Sequence, residues 1–199
     1  MDGCGKTTQV KLLTEKLREQ GEKVIETNEP TKGSVGKLVR QVLEKKVILP
    51  SDALQLLFVA DRSDHLKQTI KPALSAGKVV ISDRYLWSTI AYGSLNLDKN
   101  WLLSLHRYCL YPNISIFLEV KPKTCLQRIG LRGENKTIFE EEEKLRRVWQ
   151  TYQWLAKKFR EDIIIIDGER KPEAISREIL NKILNFAGLK PSILDFRSE

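Results

Sequence analysis

The sequence predicts an α/β fold in which a doubly wound parallel sheet is flanked by helices. Three observations carry that expectation. Short apolar, β-branched runs at residues 24–27, 78–82, 114–120 and 163–166 alternate with helical patterns, and strands separated by helices imply parallel crossovers. The run at 78–82 is nearly continuous in apolar residues and bounded by polar turns, as in a strand covered on both faces. A glycine turn at the N-terminus leads straight into an amphipathic helix, a junction that normally hangs from the end of a central strand.

Each element follows in order from local chemistry. The chain opens at Met1 directly in the glycine turn, so the first strand is expected to be missing: either the true start lies upstream or the chain lacks a core strand. Val10, Leu13 and Leu17 fall at helical spacing, and Gly21 stops that helix. Residues 24–27 form a short strand, and Val35, Leu38, Val39, Val42 and Leu43 mark a second helix. Ser51 and Asp52 are expected to cap a third, running through Leu54, Leu57 and Phe58 towards His65. Gly77 precedes the strand at 78–82, and long helical patterns surround the strands at 114–120 and 163–166. In one of them an acidic start at 140–143 gives way to Lys144, Arg146 and Arg147, as the helix dipole favours, and Trp149, Tyr152 and Trp154 are packing residues.

Composition narrows the class. The 199 residues are 41% hydrophobic and 30% charged, which suits one packed domain and not a disordered chain. No apolar run approaches the roughly 18 residues of a membrane span, and no secretory leader is legible. Cys4, Cys109 and Cys125 lack pair spacing, and His65 and His106 stand apart, which argues against a disulfide scaffold or a zinc site and fits a reducing, cytoplasmic setting. A net charge of +8 suits a polyanionic partner. The basic residues are scattered, without the aromatic-studded stripe of single-strand binders, so neither nucleic acid nor membrane is expected.

Met1-Asp2-Gly3-Cys4-Gly5-Lys6-Thr7-Thr8 matches all but the first glycine of a phosphate-binding loop. Gly3 and Gly5 let backbone N–H groups approach phosphate oxygens, and the helix that begins near Lys6 aims its positive end at them. The Lys6 ammonium reaches the β- and γ-phosphates, and the Thr7 hydroxyl sits on Mg²⁺. Together with Cys4 and Thr8, these residues are expected to hold ATP or GTP phosphates. Ser82-Asp83-Arg84-Tyr85 ends the strand at 78–82, where ligands bind in open α/β sheets; Asp83 suits hydrated Mg²⁺ and Arg84 a phosphate. Phe58 and Arg62 are four apart and share a helix face. They read either as a stacking ring beside a base-reading guanidinium, or as a core aromatic and a surface ion-pair partner.

These segments together resemble the thymidylate kinase family. The resemblance rests on residues 2–8, Glu29-Pro30-Thr31 with Gly36 and Arg40, residues 57–65, and Asp83-Arg84-Tyr85-x-x-Ser88-x-x-Ala91-Tyr92. It extends to Ile166-Asp167-Gly168 with Pro172, covering about residues 1–186. It implies a P-loop kinase domain over residues 1–187, with a lid near 128–138 and a tail at 188–199. It further implies transfer of the γ-phosphoryl group of ATP to dTMP with Mg²⁺, and a homodimer formed through helices that include the one bearing Phe58. Asp2 matches the loop carboxylate near the deoxyribose 3′-hydroxyl, Phe58 the ring stacked on thymine, and Arg62 the donor to its O4. Asp83 and Arg84 match the pair near the metal and the acceptor phosphate, and Ser88 falls in the same motif. Thr89 occupies the position whose side chain faces thymine N3, and Tyr92 matches the aromatic that packs under the sugar and excludes a 2′-hydroxyl. The segment Arg128-Ile-Gly-Leu-Arg132-Gly-Glu-Asn-Lys136 resembles the arginine-bearing lid, with Arg132 and then Arg128 expected on the transferred phosphoryl. The missing first glycine, Asn28 in place of a common arginine, and Gly93 in place of a common glutamine depart from the family pattern. Two alternatives accompany this reading: a kinase of the same fold acting on another monophosphate such as dUMP, and a nucleotide-binding protein with impaired turnover.

Overall fold

A computed structural model of the chain describes residues 1–130 and 138–186. Arg132, most of the lid and the tail at 188–199 lie outside the described residues. The first helix, α1 (Lys6–Glu19), starts from Gly5 in the left-handed region, φ 92°. No side chain caps it, so its first N–H groups stay open to a ligand. Gly21, at φ 90°, closes its other end by donating to the Arg18 carbonyl.

Strand β1 (Val24–Asn28) pairs in parallel with β2 (Val79–Asp83), from Val24 opposite Val79 to Asn28 opposite Asp83. The crossover between them is α2 (Ser34–Leu43), α3 (Ser51–His65), a π-helical turn (Leu66–Ile70) and α4 (Lys71–Ser75). After β2 come α5 (Leu86–Gly93) and α6 (Lys99–Ser104), and then β3 (Ser115–Glu119). The helices α7 (Pro122–Gly130) and α8 (Ile138–Lys158) lead to β4 (Ile163–Asp167), parallel to β3, and α9 (Pro172–Phe186) follows.

The four expected strands are therefore present and parallel, but among the described residues they form two separate two-stranded sheets instead of one continuous sheet. Strand β2 is half-buried along its whole length, not buried as its composition predicts. It pairs with β1 alone, and its other edge has no partner strand among the described residues. A second correction concerns α3. Its N-cap is Pro50, with no side-chain cap, and Ser51 is its first residue; the Ser51 hydroxyl instead accepts from the Asn96 amide at 3.2 Å.

Helices cover both faces. Leu13 and Leu17 of α1 and Ile175 and Ile179 of α9 pack with Val79, Ile81, Ile116 and Ile166, side chains drawn from both sheets. On the other face Ile90 of α5 and Val148 and Leu155 of α8 are fully buried beside Trp87 and Cys125. Burial of each such aliphatic side chain stabilises the fold by about 1.5–3 kcal/mol. The three cysteines are free. No helix among the described residues is long and apolar enough to cross a membrane.

Candidate nucleotide-phosphate site

The N-terminal turn is shaped by steric necessity at Gly3. Its φ is +76°, and a Cβ there would lie 2.4 Å from the Cys125 carbonyl oxygen, so only glycine lets the loop lie this close to α7. The Cys4 side chain is 2% exposed and belongs to the core, anchoring the loop from beneath and leaving only its backbone for a ligand. Lys6 donates to the Met1 carbonyl at 2.6 Å, folding its stem back across the turn. Thr8 is exposed on the first turn of α1.

Where α1 meets the end of β2, the Thr7 hydroxyl donates to Asp83 Oδ2 at 2.9 Å. Asp83 Oδ1 is buried and has no hydrogen-bond partner. An orphaned carboxylate oxygen beside a hydroxyl is a donor set that fits a hard cation such as Mg²⁺. No cluster of three or more His, Cys, Asp or Glu side chains suited to a metal lies among the described residues.

The turn after β2 carries backbone strain: Arg84 is not glycine yet has φ 72°, a conformation that costs about 1–2 kcal/mol. The Ser82 hydroxyl donates to the Arg84 carbonyl at 2.7 Å and helps hold it. The conformation carries the Arg84 guanidinium to Asp2, with which it forms an ion pair, and over the Tyr92 ring at 5.1 Å. The Tyr92 hydroxyl donates to Asp2 Oδ2 at 2.8 Å and accepts from the Asp2 backbone N–H at 3.1 Å. Beside the space-filling role expected of the Tyr92 ring, its hydroxyl ties down the loop carboxylate. Burial pushes the Tyr92 phenol well above its ordinary range, so it stays a donor. Burial also disfavours the Asp2 anion, but Arg84, the Tyr92 hydroxyl and Lys6 outweigh it and hold that carboxyl down at about 2. Because the folded value lies below the unfolded one, this cluster's contribution is complete at neutral pH. It fades only as the pH falls through the range from about 4 to 2. Ser88 pairs with the Tyr152 hydroxyl at 3.0 Å, and burial pushes that phenol up to about 12.

On α3, Phe58 is half-buried and Arg62 is 2% exposed, so the alternative that Arg62 is a surface ion-pair partner is wrong. Its Nη2 donates to Glu29 Oε2 at 2.6 Å and to Thr89 Oγ1 at 2.9 Å, and its Nη1 to His106 Nδ1 at 3.1 Å. Glu29 is held by the segment that follows β1. Arg40 donates to the carbonyls of Pro30 and Thr31 at 2.6 and 2.8 Å. Asp61 accepts from the Thr31 N–H and hydroxyl at 2.8 and 2.6 Å. A Cβ at Gly36 would lie 2.1 Å from the Thr31 carbonyl oxygen. Gly36→Ala should therefore displace this segment at a cost of about 2–3 kcal/mol. Calorimetry should show melting lower by about 5–10 °C; an unchanged melting temperature would contradict the clamp.

Thr7 and Asp83 are thus joined by one direct bond, Asp2, Arg84 and Tyr92 by others, and Thr89 and Arg62 by another. Arg128 donates to the Gly168 carbonyl at 3.2 Å. Sequence reasoning quoted Glu29 only as part of a motif and set His106 aside as isolated. A lone histidine 44 positions from its partner carries no periodic signal that could have revealed it.

Residues 1–179 match the family model described as thymidylate kinase. The chain is 43% identical over 171 residues to the probable thymidylate kinase of Pyrococcus horikoshii, covering 83% of each chain. It is 39% identical over 193 residues to that of Thermococcus gammatolerans, covering 92% of each. With that of Thermococcus kodakarensis it shares 38% over 200 residues, covering 94% of this chain and 96% of the relative.

Proposed function

The chain belongs to the thymidylate kinase family, and on that premise we propose that it transfers the γ-phosphoryl group of ATP to dTMP, giving ADP and dTDP. The observation that carries this reading is the Thr7–Asp83 bond, which joins the phosphate loop to the strand end bearing Arg84. Donor and acceptor phosphates would meet there. The open N-terminus of α1 and the Lys6 ammonium receive the ATP phosphates. Arg84 holds the dTMP phosphate, one of whose oxygens attacks the γ-phosphorus while the bond to the ADP oxygen breaks. Thr7 and Asp83 would hold Mg²⁺, which when bound neutralises charge on the bridging phosphate oxygens. Asp2, fixed by Tyr92 and Arg84, faces the sugar's 3′-hydroxyl, Phe58 stacks on thymine, Thr89 stands at N3, and Arg62 donates to O4.

The proposal extends to the remaining architecture. The two parallel pairs are read as flanks of one doubly wound sheet. The shared apolar layer under α1 and α9 and the half-buried β2 support that reading. Residues 1–187 form the kinase domain, with Arg132 of the lid over the transferred phosphoryl and the tail beyond it. Leu43, Ile48, Leu49 and Leu56 are exposed on α2, α3 and their connection, the apolar surface that a homodimer through these helices would cover. A cytoplasmic enzyme acting on free nucleotides, without nucleic acid or membrane, completes the reading.

A panel of monophosphates assayed for ADP release tests it. dTMP should be the preferred acceptor, with dUMP and the ribose analogue of dTMP behind it; indifference across the panel, or preference for a purine, would contradict the proposal. Tyr92→Phe keeps the ring under Arg84 and deletes both bonds to Asp2. It should cost about 1 kcal/mol, read as a roughly fivefold rise in KM for dTMP with KM for ATP unchanged.

A further inference from the structure

Arg62 is more than a buried charge. A guanidinium has five N–H groups and no acceptor. In this protein one is committed to His106 and two to Glu29 and Thr89, which leaves two, among them the Nε–H. Nε is buried and has no partner. Buried donors are seldom left unsatisfied in folded proteins, so the arrangement points to a ligand atom that accepts. The Tyr85 ring lies under the guanidinium at 4.9 Å and limits its tilt.

Glu29 is itself fixed. The second oxygen of Glu29 meets His65 Nδ1 at 3.1 Å, and His65 Nε2 meets the Thr27 hydroxyl at 2.6 Å. Glu29 also donates its backbone N–H to the Asp83 carbonyl at 3.3 Å, one residue before Arg84. His106, 1% exposed, accepts from Arg62 through Nδ1 and must therefore carry its proton on Nε2. Burial and the neighbouring guanidinium push its imidazolium down to about 3, so it remains a neutral acceptor at any working pH.

We propose that Glu29 and His106 are positioning residues for Arg62: with Thr89 they lock the guanidinium into one orientation, in which only donors face the base. Selection of a carbonyl over an amino group at position 4 of the pyrimidine then depends on two side chains that do not touch the nucleotide. This inference rests on the thymidylate kinase reading. A guanidinium free to swing could turn its donors away from an amino-bearing base and tolerate it; a locked one cannot.

The test compares dTMP with 5-methyl-dCMP, which differs in carrying an amino group at that position. Glu29→Gln and His106→Leu should each lower the ratio of kcat/KM between the two acceptors by about tenfold or more. The change should fall on KM for dTMP, with KM for ATP within about twofold of the wild type. His106→Asn retains an acceptor near the place of Nδ1 and should keep the wild-type ratio. A merely structural role would reduce the active fraction, lowering kcat for both acceptors alike. A wild-type ratio in folded Glu29→Gln or His106→Leu overturns the proposal, as do equal ratios for His106→Asn and His106→Leu. That last pair leaves the Glu29 ion pair intact and decides the matter alone if Glu29→Gln does not fold. Absence of dTMP turnover in the wild type would instead strike the family reading, and this inference with it.

Discussion

Lys6→Ala should lower kcat by about 10²–10³-fold and leave the melting temperature unchanged. The side chain is half-exposed, and its bonds run to the Met1 carbonyl and, at 3.9 Å, to Cys4 Sγ, within the loop alone. None of the apolar clusters depends on it. On the proposed reading it supplies positive charge where phosphate charge gathers during transfer. Turnover within a few-fold of wild type would show that the N-terminal turn does not hold the donor nucleotide. A parallel fall in melting temperature would show that Lys6 is a structural residue.

Asp83→Asn should be nearly as damaging, at about 10²-fold in turnover, with the Mg²⁺ concentration for half-maximal rate raised about 10–100-fold. The substitution keeps an oxygen to accept from Thr7, and the Asp83 backbone carbonyl still accepts from Glu29. What it removes is the charge on the buried oxygen that has no partner in the protein. The Mg²⁺ titration separates the two roles open to this carboxylate. If the rate falls with the Mg²⁺ midpoint unmoved, Asp83 organises the Arg84 turn and Thr7 but does not hold the metal.

The parts legible in the sequence are those that local spacing dictates. Leu13 and Leu17 sit in α1 and are buried, Gly21 ends that helix, and each β-branched run became a strand within a residue or two of its expected bounds. The N-terminal glycine turn was equally legible, because Gly3 is demanded by a contact that any larger residue would violate. Beyond that reach, local reasoning weakened. Ser51 and Asp52 have the chemistry of a cap, yet the N-cap is Pro50 and α3 begins at Ser51, and a suitable side chain does not itself set the boundary. The composition of β2 promises burial on both faces, but burial also depends on a neighbour across each edge. Tyr92 has the shape of a space-filler, and only its distance from Asp2, 90 positions away in sequence, shows what its hydroxyl does. The Glu29–Arg62–His106 chain joins three segments that no helical or strand period connects.

The central claim is phosphoryl transfer between two nucleotides at the junction of α1 and β2. It is tested most directly by incubating the chain with dTMP, Mg²⁺ and ATP labelled in its γ-phosphorus, and identifying the labelled product. The account predicts label in the β-phosphate of dTDP, formed one for one with ADP and lost in Lys6→Ala. Label released as inorganic phosphate, with no dTDP formed, would contradict it.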